Sequence, residues 1–311
     1  MNQLITIEAK DVPSATRARS DAELLSAWLK SKTDGGSEHT ARLYSRVGEA
    51  FLAALGRPLR ESVVEDVQAA VEKLRIKENG KSASAATVAT HLAVVKSFLR
   101  FAHRVGYTRF NAGELLKVKK IHGARAQRIM QKIDVQLLLR CAGSLRNRLL
   151  LAIAYYGALR VSELASLTWG HFVEREGGRV QIAGLVGKGD KEREVLLPAS
   201  VAVLIRQSRG RLGRVNDDTP VFISRQGTQL SERMINHVVK AAAKRAGLPP
   251  KLCSAVSPHW LRHAHASHAL DNGAPIQLVS QTLGHGSIST TSIYAHARPN
   301  DSSALYLDET S

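Results

Sequence analysis

The chain has 311 residues, in which 44 lysines and arginines outweigh 27 aspartates and glutamates to give a formal charge of +17. Such an excess excludes a neutral fold with no anionic partner as the first reading and points to a polyanion, nucleic acid before an acidic membrane surface. Apolar residues at 44% and charged residues at 23% are ordinary globular proportions, so the charge belongs to a folded protein, long enough for two domains, and not to a disordered basic tail.

Residues 1–19 show no periodicity and read as a flexible arm. Glu8, Lys10 and Asp11 stand where a signal peptide would need an apolar core. From Asp21 the pattern turns helical, with Leu24, Leu25, Trp28 and Leu29 on one side. Further helices are expected over 38–55, with Leu43, Val47, Phe51 and Leu55 in steps of four, and over 63–76. The last is expected over 84–105, with Val88, Leu92, Val95, Leu99 and Ala102 on one face and Gly106 as its stop. Residues 20–116 therefore read as an all-helical unit. The segment 117–128 holds Lys117, Lys119, Lys120, Arg125 and Arg128 without a regular apolar face. It reads as a basic linker able to track a phosphate backbone.

Residues 129–311 form the second domain. Asp134 is expected to cap a helix over 135–142, and an apolar helix over 145–158 is expected at the centre of the core. Its apolar run 149–159 is about half the ~20 residues that span a bilayer, so the sequence reads as cytoplasmic and free of membrane. A short helix follows Arg160. Alternating stretches at 179–186 and 193–197 flank GKGDKE, whose Gly187, Gly189 and Asp190 favour a tight hairpin turn. A short strand is expected over 221–224, a helix over 231–246, and helices over 257–296 with breaks at Gly273 and 284–286. The fold class is mainly α with a small β-sheet or hairpin in the second domain. Cys141 and Cys253 lie far apart, which excludes a disulfide framework and a cysteine-rich zinc site and fits a reducing compartment.

Four segments of the second domain carry reactive side chains. Arg160 follows a nearly all-apolar helix and needs a partner. Glu163, three residues on, can supply it, and a guanidinium held by a carboxylate is also a preorganised phosphate fork. Lys188 sits on the hairpin turn. A turn lysine is ordinarily just solvated, but a hairpin tip can deliver an ammonium to a ligand, and neighbouring Lys191 and Arg193 would push its pKa down. His259 and Arg262 are three apart and share a helix face. His259, His263, His265 and His268 include the i, i+4 spacing of a zinc pair. No glutamate follows the first histidine as in HExxH, and no carboxylate lies nearby before Asp271, so no metal is assigned. Gly284 and Gly286 flank His285 and would let backbone approach a ligand closely. Nine residues later stands Tyr294, on a helix that Ser287 can cap. Alone, such a tyrosine is usually core or rim. Together, two arginines, a lysine, two histidines and a tyrosine form the inventory that metal-free phosphodiester cleavage requires: nucleophile, anion clamp, acid and base.

The ordered series Arg160, Lys188, His259-x-x-Arg262, Leu283-Gly284-His285 and Tyr294 resembles the tyrosine recombinases, or phage-type integrases. GKGDKER is similar to the family's lysine-bearing hairpin, and 21–115 to its helical core-binding domain. The resemblance implies a simple, Xer-like two-domain DNA clamp that breaks and rejoins DNA at specific sites, for integration, excision or resolution. It implies Tyr294 as nucleophile in a 3′-phosphotyrosyl bond, Arg160, Arg262 and His285 on the scissile phosphate, Lys188 as acid to the leaving oxygen, and His259 as acid/base partner of Tyr294. No cofactor, ATP or metal is implied. The implied partners are double-stranded DNA with short inverted-repeat core sites and further copies of the chain, a homotetramer on DNA passing through a Holliday junction. The arm at 1–19 is too short for the extra arm-binding domain of lambda-like integrases, and Asn111-Ala112 replaces the family's frequent Asn-Pro. A type IB topoisomerase shares the chemistry, but usually has lysine in place of His259 and a β-rich N-terminal domain. A non-catalytic DNA-binding protein of the same fold is the second alternative, which the presence of all six site residues does not favour.

Overall fold

A computed structural model describes residues 15–33, 38–76, 80–117, 129–186, 192–284 and 291. The chain divides into two compact units, Met1–His122 and Gly123–Ser311. No helix among the described residues is long and apolar enough to cross a membrane.

The first unit packs helices α1 (Asp21–Thr33), α2 (Glu38–Leu55), α3 (Val64–Lys73) and α4 (Ala85–Arg104). Trp28 of α1 is fully buried. Its ring stacks on Tyr44 of α2 at 5.3 Å and 9°, and lies tilted against Phe98 of α4 at 5.3 Å. Val47, Phe51 and Leu55 bury the expected stripe of α2, and Leu92, Val95, Leu99 and Ala102 that of α4. The Ser84 side chain caps α4 by accepting from the Thr87 amide, and Gly106 leaves the helix with φ +69°. Asp21 fastens the start of α1. Its carboxylate accepts from the Leu59 amide and from the Tyr107 hydroxyl, both at 2.8 Å. Burial and the Asp21 bond push the Tyr107 phenol up to about 12. Residues just before α1, aperiodic in sequence, are tied to this unit. The Ala15 amide donates to the Val105 carbonyl and Arg60 Nη2 to the Ala18 carbonyl. At Asn111-Ala112 the Asn111 side chain accepts from the Gly113 amide and starts a short 3-10 turn.

In the second unit α5 (Lys132–Arg140), α6 (Leu145–Tyr156) and α7 (Val161–Ser166) precede a three-stranded antiparallel sheet. Its strands are β1 (Phe172–Arg175), β2 (Arg179–Val186) and β3 (Glu192–Leu197), in that order. Helices α8 (Ala199–Leu212), α9 (Glu232–Arg245), α10 (Pro250–Ala255), α11 (Pro258–Asp271) and α12 (Ile276–Leu283) follow. Leu149–Ala154 of α6 are all buried, which places this helix at the centre of the core. Val180 pairs with Leu197 and Ile182 with Val195, and these four side chains cover the core from the sheet.

Two sequence expectations change, and one helix is added. Asp134 does not cap α5: Gln131 holds the cap position and Asp134 lies in the first turn, where a carboxylate suits the positive helix end. The segment 221–224 does not join the sheet. Val221 and Phe222 are buried as anchors while Ser224 and Thr228 close a tight turn, an apolar pattern that imitates a strand. The 14-residue α8 goes unmarked in sequence because only Val201, Ala202 and Ile205 of it are buried among polar neighbours.

Phe98→Ala removes a fully buried ring from the Trp28 cluster. It should cost about 3–5 kcal/mol, measurable as a lowered midpoint when urea unfolding of this unit is followed by tryptophan fluorescence.

Candidate active site

The site begins where α6 ends. Ala158 is the one non-glycine residue with positive φ among the described residues, at +49°, and it is fully buried. L-residues pay roughly 1–2 kcal/mol for this conformation. It turns the chain so that Arg160 becomes the N-cap residue of α7. The Arg160 amide donates to Glu163 Oε2 at 2.7 Å, and its Nη1 donates to Glu163 Oε1 at 2.8 Å. The pairing expected from the i, i+3 spacing is therefore present, and the Arg160 side chain remains about 34% exposed.

Glu163 is shared. Arg193 of β3 donates from Nη1 to Oε1 at 2.7 Å and from Nη2 to Oε2 at 2.6 Å. Both side chains are only 8% exposed. Burial alone would raise the Glu163 carboxyl, but the bonds from Arg193 and Arg160 outweigh it and hold the group at about 2. Arg193 was read from sequence as a cation beside Lys188; the structure instead commits it to a carboxylate. The signal was available in the strand pattern, since Arg193 alternates in phase with buried Val195 and Leu197. A charged side chain on the inward phase needs a buried partner.

The three arginines converge on the end of α12. Arg193 Nε donates to the Thr282 carbonyl at 3.0 Å, Arg262 Nη2 to the Leu283 carbonyl, and Arg160 Nη2 to the Gly284 carbonyl at 2.9 Å. Arg262, 3% exposed, also donates from Nη1 to the Ala158 carbonyl. Gly284 takes the left-handed conformation, φ +59° and ψ 45°. A Cβ there would meet Arg193 Cδ at 2.8 Å, so both backbone and space call for glycine.

His259 lies one turn before Arg262, exposed, with its ring edge-on to His263 at 4.1 Å between centroids. Arg160, His259, Arg262, Ser257 and Asn236 line one open cleft of about 510 Å³. The other histidines of α11 are packing residues. His268 bridges the Tyr155 hydroxyl and the Met130 carbonyl, both at 2.9 Å. Burial pushes His265 down to about 4, with the Arg262 charge adding to the effect, so it is neutral at pH 7. Among the described residues no three His, Cys, Asp or Glu side chains gather as a metal site.

The structure thus brings Arg160, His259 and Arg262 together. Lys188, His285 and Tyr294 lie outside the described residues, as do Lys119, Lys120, Arg125 and Arg128. Lys117 is exposed at the end of the helical unit.

The second unit thus joins a mainly helical fold and a small antiparallel sheet to three arginines gathered at one helix end. The phage integrase family model matches residues 119–301, and the chain belongs to that family, the tyrosine recombinases, enzymes of site-specific DNA strand breakage and rejoining. The tyrosine recombinase XerC of Thermodesulfovibrio yellowstonii is 30% identical over 274 residues, covering 84% of this chain and 87% of that protein. The tyrosine recombinase XerD of Pseudomonas aeruginosa is 31% identical over 291 residues, covering 89% and 91%. Solved structures share the fold. XerH bound to its difH substrate has a TM-score of 0.64 at 21% identity, covering 91% of this chain and 83% of that one. A lambda integrase dimer bound to a core site has a TM-score of 0.68 at 18% identity, covering 93% and 79%. These relatives do not favour the topoisomerase alternative.

The depressed Glu163 pKa generates a pH test. The carboxylate stabilises the fold above its ordinary value of 4.5, and that stabilisation is lost as pH falls toward about 2. A shift of this size corresponds to about 3 kcal/mol. Glu163→Gln should lower the unfolding free energy at pH 7 by that order. The gap to wild type should narrow as urea titrations are taken down through pH 4.5; a gap independent of pH would show that the charge is not what the arginines need.

Proposed function

We propose that the chain cleaves and rejoins duplex DNA at short inverted-repeat core sites through a 3′-phosphotyrosyl intermediate on Tyr294. The observation that carries this reading is the convergence of Arg160 and Arg262 on the consecutive carbonyls of Gly284 and Leu283, immediately before the His285 and Tyr294 motif. Two guanidiniums so held present fixed positive charge, which needs no reorganisation when a phosphate arrives.

In the proposed reaction the Tyr294 oxygen attacks the scissile phosphorus while His259 accepts the phenol proton. The non-bridging oxygens gain charge and are held by Arg160, Arg262 and His285. The bond to the 5′ oxygen breaks and Lys188 donates the proton that makes it a hydroxyl. A 5′-hydroxyl from a partner duplex then reverses these steps on the phosphotyrosine. The bond energy is conserved in the intermediate, so rejoining needs no nucleotide cofactor. Two rounds, separated by a Holliday junction, would exchange both strands within a homotetramer. The basic segment with Lys117, Lys119, Lys120, Arg125 and Arg128 would follow the phosphate backbone between the helical domain (20–116) and the catalytic domain (129–311). The work would take place in the cytoplasm.

The test traps covalent protein–DNA adducts in cells by denaturation and sequences the attached DNA. Adducts focused on one or two inverted-repeat sites support the reading; adducts scattered over a short common motif would indicate topoisomerase action, and none at all a binding protein. Tyr294→Phe should abolish adducts and spare DNA affinity, because it removes one oxygen and no positive charge. Arg160→Ala and Arg262→Ala should each slow adduct formation by at least ~10²-fold, read in single-turnover assays on the recovered site. Affinity for that site should fall steeply with salt as phosphate contacts release counterions.

A further inference from the structure

Arg193 joins two parts of the site from a position that is itself nearly inaccessible. It stands on β3, five residues after Lys188 in the sequence, with its side chain turned into the domain. Three of its N–H groups are engaged: two hold the Glu163 carboxylate and one holds the Thr282 carbonyl. Glu163 in turn grips Arg160 at both amide and guanidinium.

A carboxylate bonded by Arg160 alone could swing with that exposed side chain. Bidentate pairing with the inward-facing Arg193 removes the freedom, because a planar fork matched to both oxygens fixes the carboxylate plane. The same guanidinium lies against Gly284, where no Cβ fits. One cation therefore sets the position of Arg160, through Glu163, relative to the helix end that it also holds. A role confined to holding β3 against α12 would require only the Thr282 bond and would leave Glu163 to Arg160.

We propose that Arg193 is a positioning residue of the recombination reaction: from beneath the site it aligns Arg160, through Glu163, with the end of α12, so that the guanidinium meets the scissile phosphate already oriented. The proposal rests on the recombinase reading above and goes beyond it in assigning the alignment to a side chain outside the six-residue motif.

The experiment measures single-turnover adduct formation, at saturating and at limiting concentrations of the duplex recovered from trapped adducts. The proteins are full-length wild type, Arg193→Met, Arg193→Lys, Arg160→Ala and the Arg160→Ala/Arg193→Met double variant, each checked for native circular dichroism and assayed well below its melting temperature. Displacing a reacting group by about an ångström costs roughly 10²-fold in rate, and that is the loss expected for Arg193→Met at saturating DNA, with half-saturation moved less than about threefold. Arg193→Lys keeps the charge but cannot serve both Glu163 oxygens and Thr282 together, so it should recover only part of the rate. In the Arg160→Ala background Arg193→Met should cost almost nothing further, since there is no guanidinium left to align.

Folded Arg193 variants that form adducts at the wild-type rate would overturn the proposal, as would losses at Arg193 and Arg160 that multiply in the double variant. If Arg193→Met does not fold, Arg193→Lys and Glu163→Gln carry the same comparison with Arg160→Ala. Wild-type protein that forms no adduct on any DNA would instead bring down the recombinase reading, and this inference with it.

Discussion

The last carbonyls of an α-helix have no partners within the helix and mark the negative end of its dipole. In α12 that ordinary deficit becomes the organising contact of the second unit. Thr282, Leu283 and Gly284 each hand a carbonyl to a different arginine, drawn from β3, α11 and α7. Hydrogen bonds to guanidinium are stronger than neutral ones, so the helix end is fixed more firmly than a Schellman-type turn alone would fix it. Three cations this close would repel each other without Glu163. Its carboxylate takes bonds from two of them, and the third finds the Ala158 carbonyl, which the left-handed turn after α6 delivers. The strain at Ala158, the missing side chain at Gly284 and the depressed carboxyl of Glu163 are consequences of one arrangement.

The two units divide the physical work differently. The helical unit is built on an aromatic centre, Trp28 between Tyr44 and Phe98, with an acidic fastening at Asp21. Its stability is mostly burial. The second unit spends part of its interior on charge: Glu163, Arg193 and Arg262 are all nearly inaccessible. Buried ion pairs add little net stability over apolar packing, so their presence beside the cleft that holds Arg160 and His259 answers to geometry rather than to folding energy. His265, kept neutral by burial next to Arg262, avoids adding another charge to the same interior.

Much of this was legible in the amino-acid pattern, and the boundary of legibility is physical. Glu38–Leu55 and Ala85–Arg104 were visible because four or five apolar side chains recur at helical spacing and pack on one core. The β2–β3 pair was visible because inward and outward residues alternate along both strands, apart from an irregularity between Ile182 and Leu185. Helix α8 was not, since its buried face is three small or branched residues wide, and 221–224 misled because two adjacent buried anchors look the same in a strand and in a turn. At the site, the pairing of Arg160 with Glu163 could be read from a spacing of three. Arg193 could not be joined to Glu163 that way, because contacts 30 residues apart leave no periodic trace; the in-phase charge on β3 says only that a partner exists. The family was readable as a resemblance, and the chain belongs to that family.

The contacts at the end of α12 also govern when the site comes into being. Arg160 reaches Gly284 across 124 residues of chain, and Arg193 reaches Thr282 across 89. Contacts of this sequence separation close late, after local helices and hairpins have formed. During synthesis from the N-terminus the helical unit is complete, and so are α6, α7 and the sheet, long before α12 leaves the ribosome. A nascent or truncated chain would therefore carry basic surface without an assembled arginine cluster. The cluster is completed only when the last of its elements has been made.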